Sequence, residues 1–225
     1  MWRDGVLSDL GTLTGGTSSC EEWISDTGLI VGGSTNGLMD SQLGLPEIRA
    51  TLWLGEKPFD LGTLGGNESI AWAVNNFGEV AGGAANNIAD SNASVFGLAS
   101  ATQVHAAIWR NGAIQDLRTL GEGTDSMAYL GNDRGQVAGM SFTNNTINST
   151  TGLPTIDIFL WENGKMFDLG TLGGVSSTVN ALNNRGQIAG YSDLPGDIAF
   201  HPVLGDRTGM KDLGTLGGTL GIAKC

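Results

Sequence analysis

Apolar residues recur along the chain in short runs rather than at helical spacing. Leu52-Trp53, Ile108-Trp109 and Leu160-Trp161 each close a run of apolar residues, and each is followed by a polar, glycine-bearing turn such as Arg110-Asn111-Gly112 or Glu162-Asn163-Gly164. A second kind of run, led by serine, begins at Ser19, Ser69, Ser126 and Ser177 and ends in Gly32, Gly82, Gly139 and Gly190. Its middle carries Asn75-Asn76-Phe77-Gly78, Asn132-Asp133-Arg134-Gly135 or Asn183-Asn184-Arg185-Gly186. Asn, Asp and Gly accept the positive φ of tight hairpin turns, so both runs predict β-hairpins. No window keeps a 3.6-residue period long enough for a helix, and glycine interrupts every candidate. The pattern predicts an all-β fold.

The hairpins are arranged as a repeat. Asp-Leu-Gly-Thr-Leu stands at Asp9, Asp60, Asp168 and Asp212, and at Asp116 with Arg118 in place of glycine. The anchors are spaced 51, 56, 52 and 44 residues apart, so the period is fixed up to loop insertions. Each unit offers four strands. In the third they are Ile156–Trp161, Lys165–Leu172, Ser177–Asn183 and Gln187–Ser192, two hairpins joined by Gly173-Gly174. Four-stranded antiparallel units at this period predict one repeat domain over residues 1–225, a β-propeller in which each blade buries its faces against its neighbours. The count of 18 or 19 strands favours five blades, with four as the alternative and a stacked solenoid as the competing architecture. Met1-Trp2-Arg3-Asp4-Gly5 fits the tryptophan slot of a unit entered midway, and in the fourth full unit Pro202 stands where tryptophan is expected.

Composition narrows the function classes. With 23 acidic and 11 basic residues the chain carries a net charge of −12, and no basic cluster offsets that field, which argues against nucleic acid as a partner. No apolar stretch is long enough for a membrane helix, so membrane insertion is not expected, and the first residues lack the apolar run of a secretory signal. Thirty-seven glycines imply many tight turns and close backbone approaches. Two cysteines, Cys20 and Cys225, do not fix the redox compartment.

The repeated elements resemble the HAF repeats of bacterial, mostly extracellular proteins. That pattern runs His-Ala-Phe-Leu-Trp, then Asp-Leu-Gly-Thr-Leu-Gly-Gly, then Ala-x-x-Ile-Asn-x-x-Gly-x-Val-x-Gly. The second element is well kept here, and His105-Ala106-Ala107-Ile108-Trp109 is the nearest match to the first, while Asp157 and Ile198 replace histidine in later units. The resemblance covers nearly the whole chain and implies a repeat architecture and an extracellular or periplasmic location rather than a particular reaction.

Candidate chemistry is sparse. The repeated aspartates Asp9, Asp60, Asp116, Asp168 and Asp212 could ring a Ca²⁺ site if they shared one channel, but repetition in every unit is what a structural role predicts, each carboxylate accepting backbone N–H groups. No metal site and no cofactor is therefore expected. His105 and His201 accompany no nucleophile motif, and His105 reads as a packed or hydrogen-bonded residue. The glycine-rich runs lack the Gly-Lys-Ser/Thr ending of a phosphate loop. Trp53, Trp109 and Trp161 recur in register and read as core. Glu22, Trp72, Tyr129 and Asn180 share one slot on the serine-led strand, and variation at a fixed slot makes them candidates for ligand contact.

The stretches 34–48, 84–104, 141–155 and 193–197 vary most, and read as connections between units, where specificity sits. The second contains Asp90, Asn92 and Phe96, and Asp90 and Phe96 join the candidate ligand contacts. These features predict a non-catalytic binding or scaffolding propeller whose variable loops contact a glycan, a peptide or a partner subunit. The alternatives are a hydrolase or lyase acting on polysaccharide, with acids such as Asp90 and Asp157 paired for proton transfer, and a structural subunit of a larger assembly.

Overall fold

The computed structural model describes residues 2–3, 5–149 and 151–223. Met1 and Asp4 of the opening half-unit, and Cys225, lie outside the described residues. Strand-forming residues alternate with positive-φ turns throughout, and the result is all-β apart from a 3-10 turn at Ala93–Phe96. A short hairpin, β1 (Trp2–Arg3) with β2 (Val6–Leu7), precedes four antiparallel four-stranded sheets. The first is β3 (Ser19–Ile24), β4 (Ile30–Met39), β5 (Pro46–Leu54) and β6 (Lys57–Asp60). The second is β7 (Ser69–Val74), β8 (Val80–Ala89), β9 (Thr102–Arg110) and β10 (Ala113–Arg118). The third is β11 (Ser126–Gly131), β12 (Val137–Phe142), β13 (Ile156–Glu162) and β14 (Lys165–Gly170). The fourth is β15 (Ser177–Leu182), β16 (Ile188–Asp193), β17 (Phe200–Asp206) and β18 (Gly209–Asp212). Strands in each sheet follow chain order.

Four complete sheets replace the five blades favoured by strand counting. Among the described residues β1 and β2 pair with each other and with no other strand, and those after β18 add no strand to a sheet, only an isolated bridge between Phe200 and Leu220. The sheet boundaries also differ from the expected unit. The two hairpins of a sheet are joined by the variable stretch, so 34–48 and its counterparts lie inside sheets, between second and third strands. The Asp-Leu-Gly-Thr-Leu-Gly-Gly element instead carries the chain from one sheet to the next.

Hydrogen bonds explain that assignment. The serine opening each sheet donates its hydroxyl to the carbonyl at the preceding anchor: Ser19 to Gly11 at 3.3 Å, Ser69 to Gly62 at 2.8 Å, Ser126 to Arg118 at 2.6 Å and Ser177 to Gly170 at 3.1 Å. Ser69 Oγ also accepts the N–H of Ala50 in the preceding sheet at 2.9 Å, and Ser177 Oγ that of Ile158 at 2.8 Å. A second serine, on the second strand, accepts the N–H of the anchor leucine: Ser34 from Leu13, Ser141 from Leu120 and Ser192 from Leu172. Ala84 takes that place in the second sheet, and Leu64 N–H turns to the carbonyl of Ala85 at 3.1 Å. Two hydroxyls thus fix three of the four connectors on the sheet each leads into, and one hydroxyl with a backbone carbonyl fixes the other, satisfying backbone groups that would otherwise be buried without partners.

Each first strand carries a β-bulge. The register slips at Glu22, Trp72, Tyr129 and Asn180. The bulge drives a carbonyl against the facing strand, where a Cβ on Gly32, Gly82, Gly139 or Gly190 would overlap the carbonyl oxygen of Cys20, Ile70, Met127 or Thr178. Only glycine fits there, which is why the serine-led run always ends in one.

The chain forms two compact units, Met1–Asp116 and Leu117–Cys225. In the first, Val31 and Ala50 of one sheet pack with Ala71, Val74, Val80 and Trp109 of the other. In the second, Ala138, Ile158 and Leu160 pack with Val179, Ile188 and Val203. Trp53, fully buried, packs with Leu10 and Ile30 and donates its indole N–H to the carbonyl of Gly11 at 3.2 Å. The in-register tryptophans therefore have the core role expected of them. The corresponding place on β17 is Gly205, opposite Ile188 as Trp161 is opposite Val137, so Pro202 does not stand in the tryptophan slot.

Candidate functional site

The repeated aspartates close their own turns. Oδ1 of Asp9, Asp60, Asp168 and Asp212 accepts the N–H of the glycine two residues on, at 2.9, 2.8, 2.8 and 2.7 Å. That glycine has a positive φ, 85° at Gly62 and 74° at Gly170, and Arg118 holds φ 68° in its place. Among the described residues no group of three or more His, Cys, Asp or Glu is gathered as a metal could require.

Across from each of the last four aspartates, on the third strand of its sheet, lies a residue whose charge varies. Arg49 stands 3.4 Å from Asp60, His105 Nδ1 is hydrogen-bonded to Asp116 at 3.0 Å, and His201 Nδ1 to Asp212 at 2.9 Å. His201, rather than Ile198, thus occupies the histidine slot of the fourth sheet. Sequence alignment missed it because the connection before β17 is short and the tryptophan that would have set the register is Gly205. In the third sheet the slot holds a second acid. Asp157, only 7% exposed, sits beside Asp168, and burial, then the neighbouring carboxylate, push its pKa up to about 7. The carboxyl of Asp157 therefore faces Asp168 within its own sheet. Asp90 belongs to the first unit, where its Oδ1 accepts the N–H of Asn92 at 2.6 Å and shapes the β8–β9 loop.

The four residues of the variable slot are the bulge residues themselves, which a bulge re-aims out of the strand pattern. Trp72 is partly buried and lies near Gly97, just past the 3-10 turn. Tyr129 packs on the core of the second unit, and burial raises its phenol pKa. Asn180 donates from Nδ2 to the carbonyl of Ala223 at 2.9 Å. Glu22 is exposed, beside Trp23 and Ile24. Phe96 is 2% exposed, its ring inside the β8–β9 loop region rather than on its surface.

The loops between second and third strands form the most distinctive surface. β4 and β8 run past their sheets into protruding arms. Asn36 Nδ2 donates to Glu47 at 2.9 Å across the first arm while its Oδ1 accepts the N–H of Leu38. Asn86 repeats the device with Gln103 at 3.1 Å and the N–H of Ile88 at 2.7 Å. Asp40 caps the first tip, its Oδ1 accepting N–H groups of Gln42 and Leu43 at 2.7 Å and its Oδ2 the amide of Asn67 at 2.7 Å. The Asn67 amide, with those N–H groups, holds the Asp40 carboxyl below the usual carboxylate range. Glu68, 3% exposed, accepts from Ser100 Oγ at 3.3 Å, and burial, then Asp40, push its pKa up to about 7. These polar ties, partly buried for the most part, hold up exposed apolar tips: Leu38, Met39 and Leu45 on one arm, Ile88 and Val95 on the other. The sequence marked these stretches as variable, but it gave no sign that their apolar residues would face water.

No family model, curated protein or solved structure matches the chain. No helix among the described residues is long and apolar enough to cross a membrane.

Proposed function

We propose that this protein is a non-catalytic binding module, its four sheets the blades of a four-bladed propeller of the HAF-repeat kind, working outside the cytoplasm. The observation that carries the binding role is the set of exposed apolar residues Leu38, Met39, Leu45, Ile88 and Val95 on arms tied down by partly buried side-chain hydrogen bonds. Large apolar side chains held in water on a rigid support mark an interaction surface, since ordering them in advance removes part of the entropic cost of binding. A net charge of −12 behind them favours a basic flank on the partner. The partner is accordingly a polypeptide segment that offers apolar side chains bordered by Lys or Arg.

Fluorescence anisotropy with a Leu/Lys peptide and a Leu/Glu peptide, beside a glycan array, tests this. Selective binding of the Leu/Lys peptide, weakened tenfold or more by Leu38→Ser with Ile88→Ser at unchanged Tm, is the expected result. A glycan hit untouched by those substitutions, or equal binding of both peptides, would overturn it.

A further inference from the structure

At the opposite ends of the strands, the hairpin turns of the second unit line a half-open polar cavity of about 370 Å³. Arg134 comes from the β11–β12 turn, Arg185 from the β15–β16 turn and Arg207 from the β17–β18 turn, and Gln136, Glu162 and Thr208 lie among them. Three guanidinium groups around one hollow is a local reversal of sign in a chain with 23 acidic residues against 11 basic ones.

The two acids of the lining, Glu162 and Asp206, offset it only in part and act on Arg207. Arg134 and Arg185 form no ion pair with any described residue, and Arg207 only a long one, 3.9 Å to Glu162. In the first unit the equivalent turn positions hold Thr27 and Phe77, while Arg110 is paired with Glu79 at 2.7 Å. The arginines are thus no consequence of the repeat, which builds the same turns without them.

The cavity walls are fixed. Asn132 Nδ2 donates to Gln136 Oε1 at 2.7 Å and to the carbonyl of Asn183 at 2.8 Å, and Asp133 N–H donates to Asn184 Oδ1 at 3.1 Å. A Cβ on Gly186 would fall 2.6 Å from Gln136 Nε2, so the two turns touch directly. Gln136 Nε2 in turn donates to Glu162 Oε1 at 2.9 Å, leaving Glu162 Oε2 facing Arg207. Leu160, buried in the core of the unit, backs the cavity from beneath.

We propose that this cavity binds a small sugar bearing an oxyanion, a carboxylate or a phosphate. Guanidinium forks match both anions in bidentate geometry. Glu162 and Asp206 offer carboxylate oxygens to sugar O–H groups, and Thr208, whose hydroxyl donates to Asp206 Oδ1, keeps a lone pair for one more. The volume suits a monosaccharide-sized ligand. The site does not depend on the role of the apolar arms.

Isothermal titration with glucuronate, glucose 6-phosphate, glucose and inorganic phosphate tests the proposal, using the full chain beside Arg134→Thr and Arg185→Thr. Threonine is the residue of the equivalent turn at Thr27, so both variants keep a side chain the turn accepts, and far-UV circular dichroism checks their folding. The expected result is binding of at least one charged sugar, no binding of glucose, and a tenfold or greater loss in each folded variant. Glucuronate or glucose 6-phosphate responding alone identifies which anion is recognised. Inorganic phosphate binding as tightly as the sugars, no response to any ligand, or binding unchanged in the variants would each overturn the proposal.

Discussion

The slot facing the repeated aspartate holds Arg49, His105, Asp157 and His201 in the four sheets, three cations or proton donors and one acid. Asp157 keeps its proton to about pH 7 in the folded protein, against 3.8 when free of its surroundings. Its stabilising contribution is therefore complete below pH 4 and is lost as pH rises through 7, because the unfolded chain gives up the proton first. Glu68 has the same sign, raised to about 7 from 4.5. Asp40 has the opposite one: its lowered pKa stabilises at neutral pH, and that contribution goes as acid protonates it. Thermal melts should therefore show Tm falling between pH 5 and pH 8. Asp157→Asn, which donates to Asp168 at any pH, should flatten that slope and regain on the order of 2 kcal/mol at pH 8. A variant as pH-sensitive as the parent would show that the pair is not the source. The sequence displayed the repeated aspartates and indicated their backbone-capping role. The residue across from each of the last four was harder to read, since pairing depends on register, and in the fourth sheet the missing tryptophan hid His201.

At the level of strands, the hairpins were legible because their turns carry Asn, Asp and Gly at fixed offsets. Which hairpins share a sheet was not. A short Gly-Gly connector looks like a turn within a sheet, and a long variable stretch looks like a linker, whereas the chain uses them the other way round. The deciding interactions, hydroxyls of Ser69 and Ser177 reaching backbone N–H groups of the preceding sheet, join residues far apart in sequence. The bulges were likewise visible only as a variable slot opposite an unvarying glycine. That geometry separates two kinds of glycine. Gly82→Ala places a methyl on the carbonyl oxygen of Ile70 and should cost more than 3 kcal/mol or abolish folding, in line with forced backbone overlap in a core. Gly170→Ala meets open space, and its cost comes from φ 74° alone, about 1 kcal/mol. Urea denaturation of both variants distinguishes them, and equal losses would contradict the assigned bulge.

For the molecule as a whole, composition spoke clearly about class: an all-β chain built from repeats of four strands. It overcounted sheets, because strand number does not reveal that, among the described residues, β1 and β2 pair only with each other or that Leu220 makes only an isolated bridge. The acidic field has a global effect that sequence alone forecasts. Self-repulsion at a net charge of −12 destabilises the compact state and is screened by salt, so Tm should rise by a few degrees from about 20 mM to about 500 mM NaCl. The same salt should weaken anion binding at Arg134 and Arg185, and differential scanning fluorimetry with titration at both salt levels reads the two effects separately.

The second and third strands of a sheet stay paired whether the chain between them runs only from Leu194 to Ala199 or the longer way from Thr143 to Thr155. For protein engineering this makes those gaps grafting sites. Closing a loop grows only slowly more costly with its length, so an epitope of about a dozen residues set between Phe142 and Ile156 would be presented on a frame whose alignment is held elsewhere, by serine hydroxyls that the insert never touches.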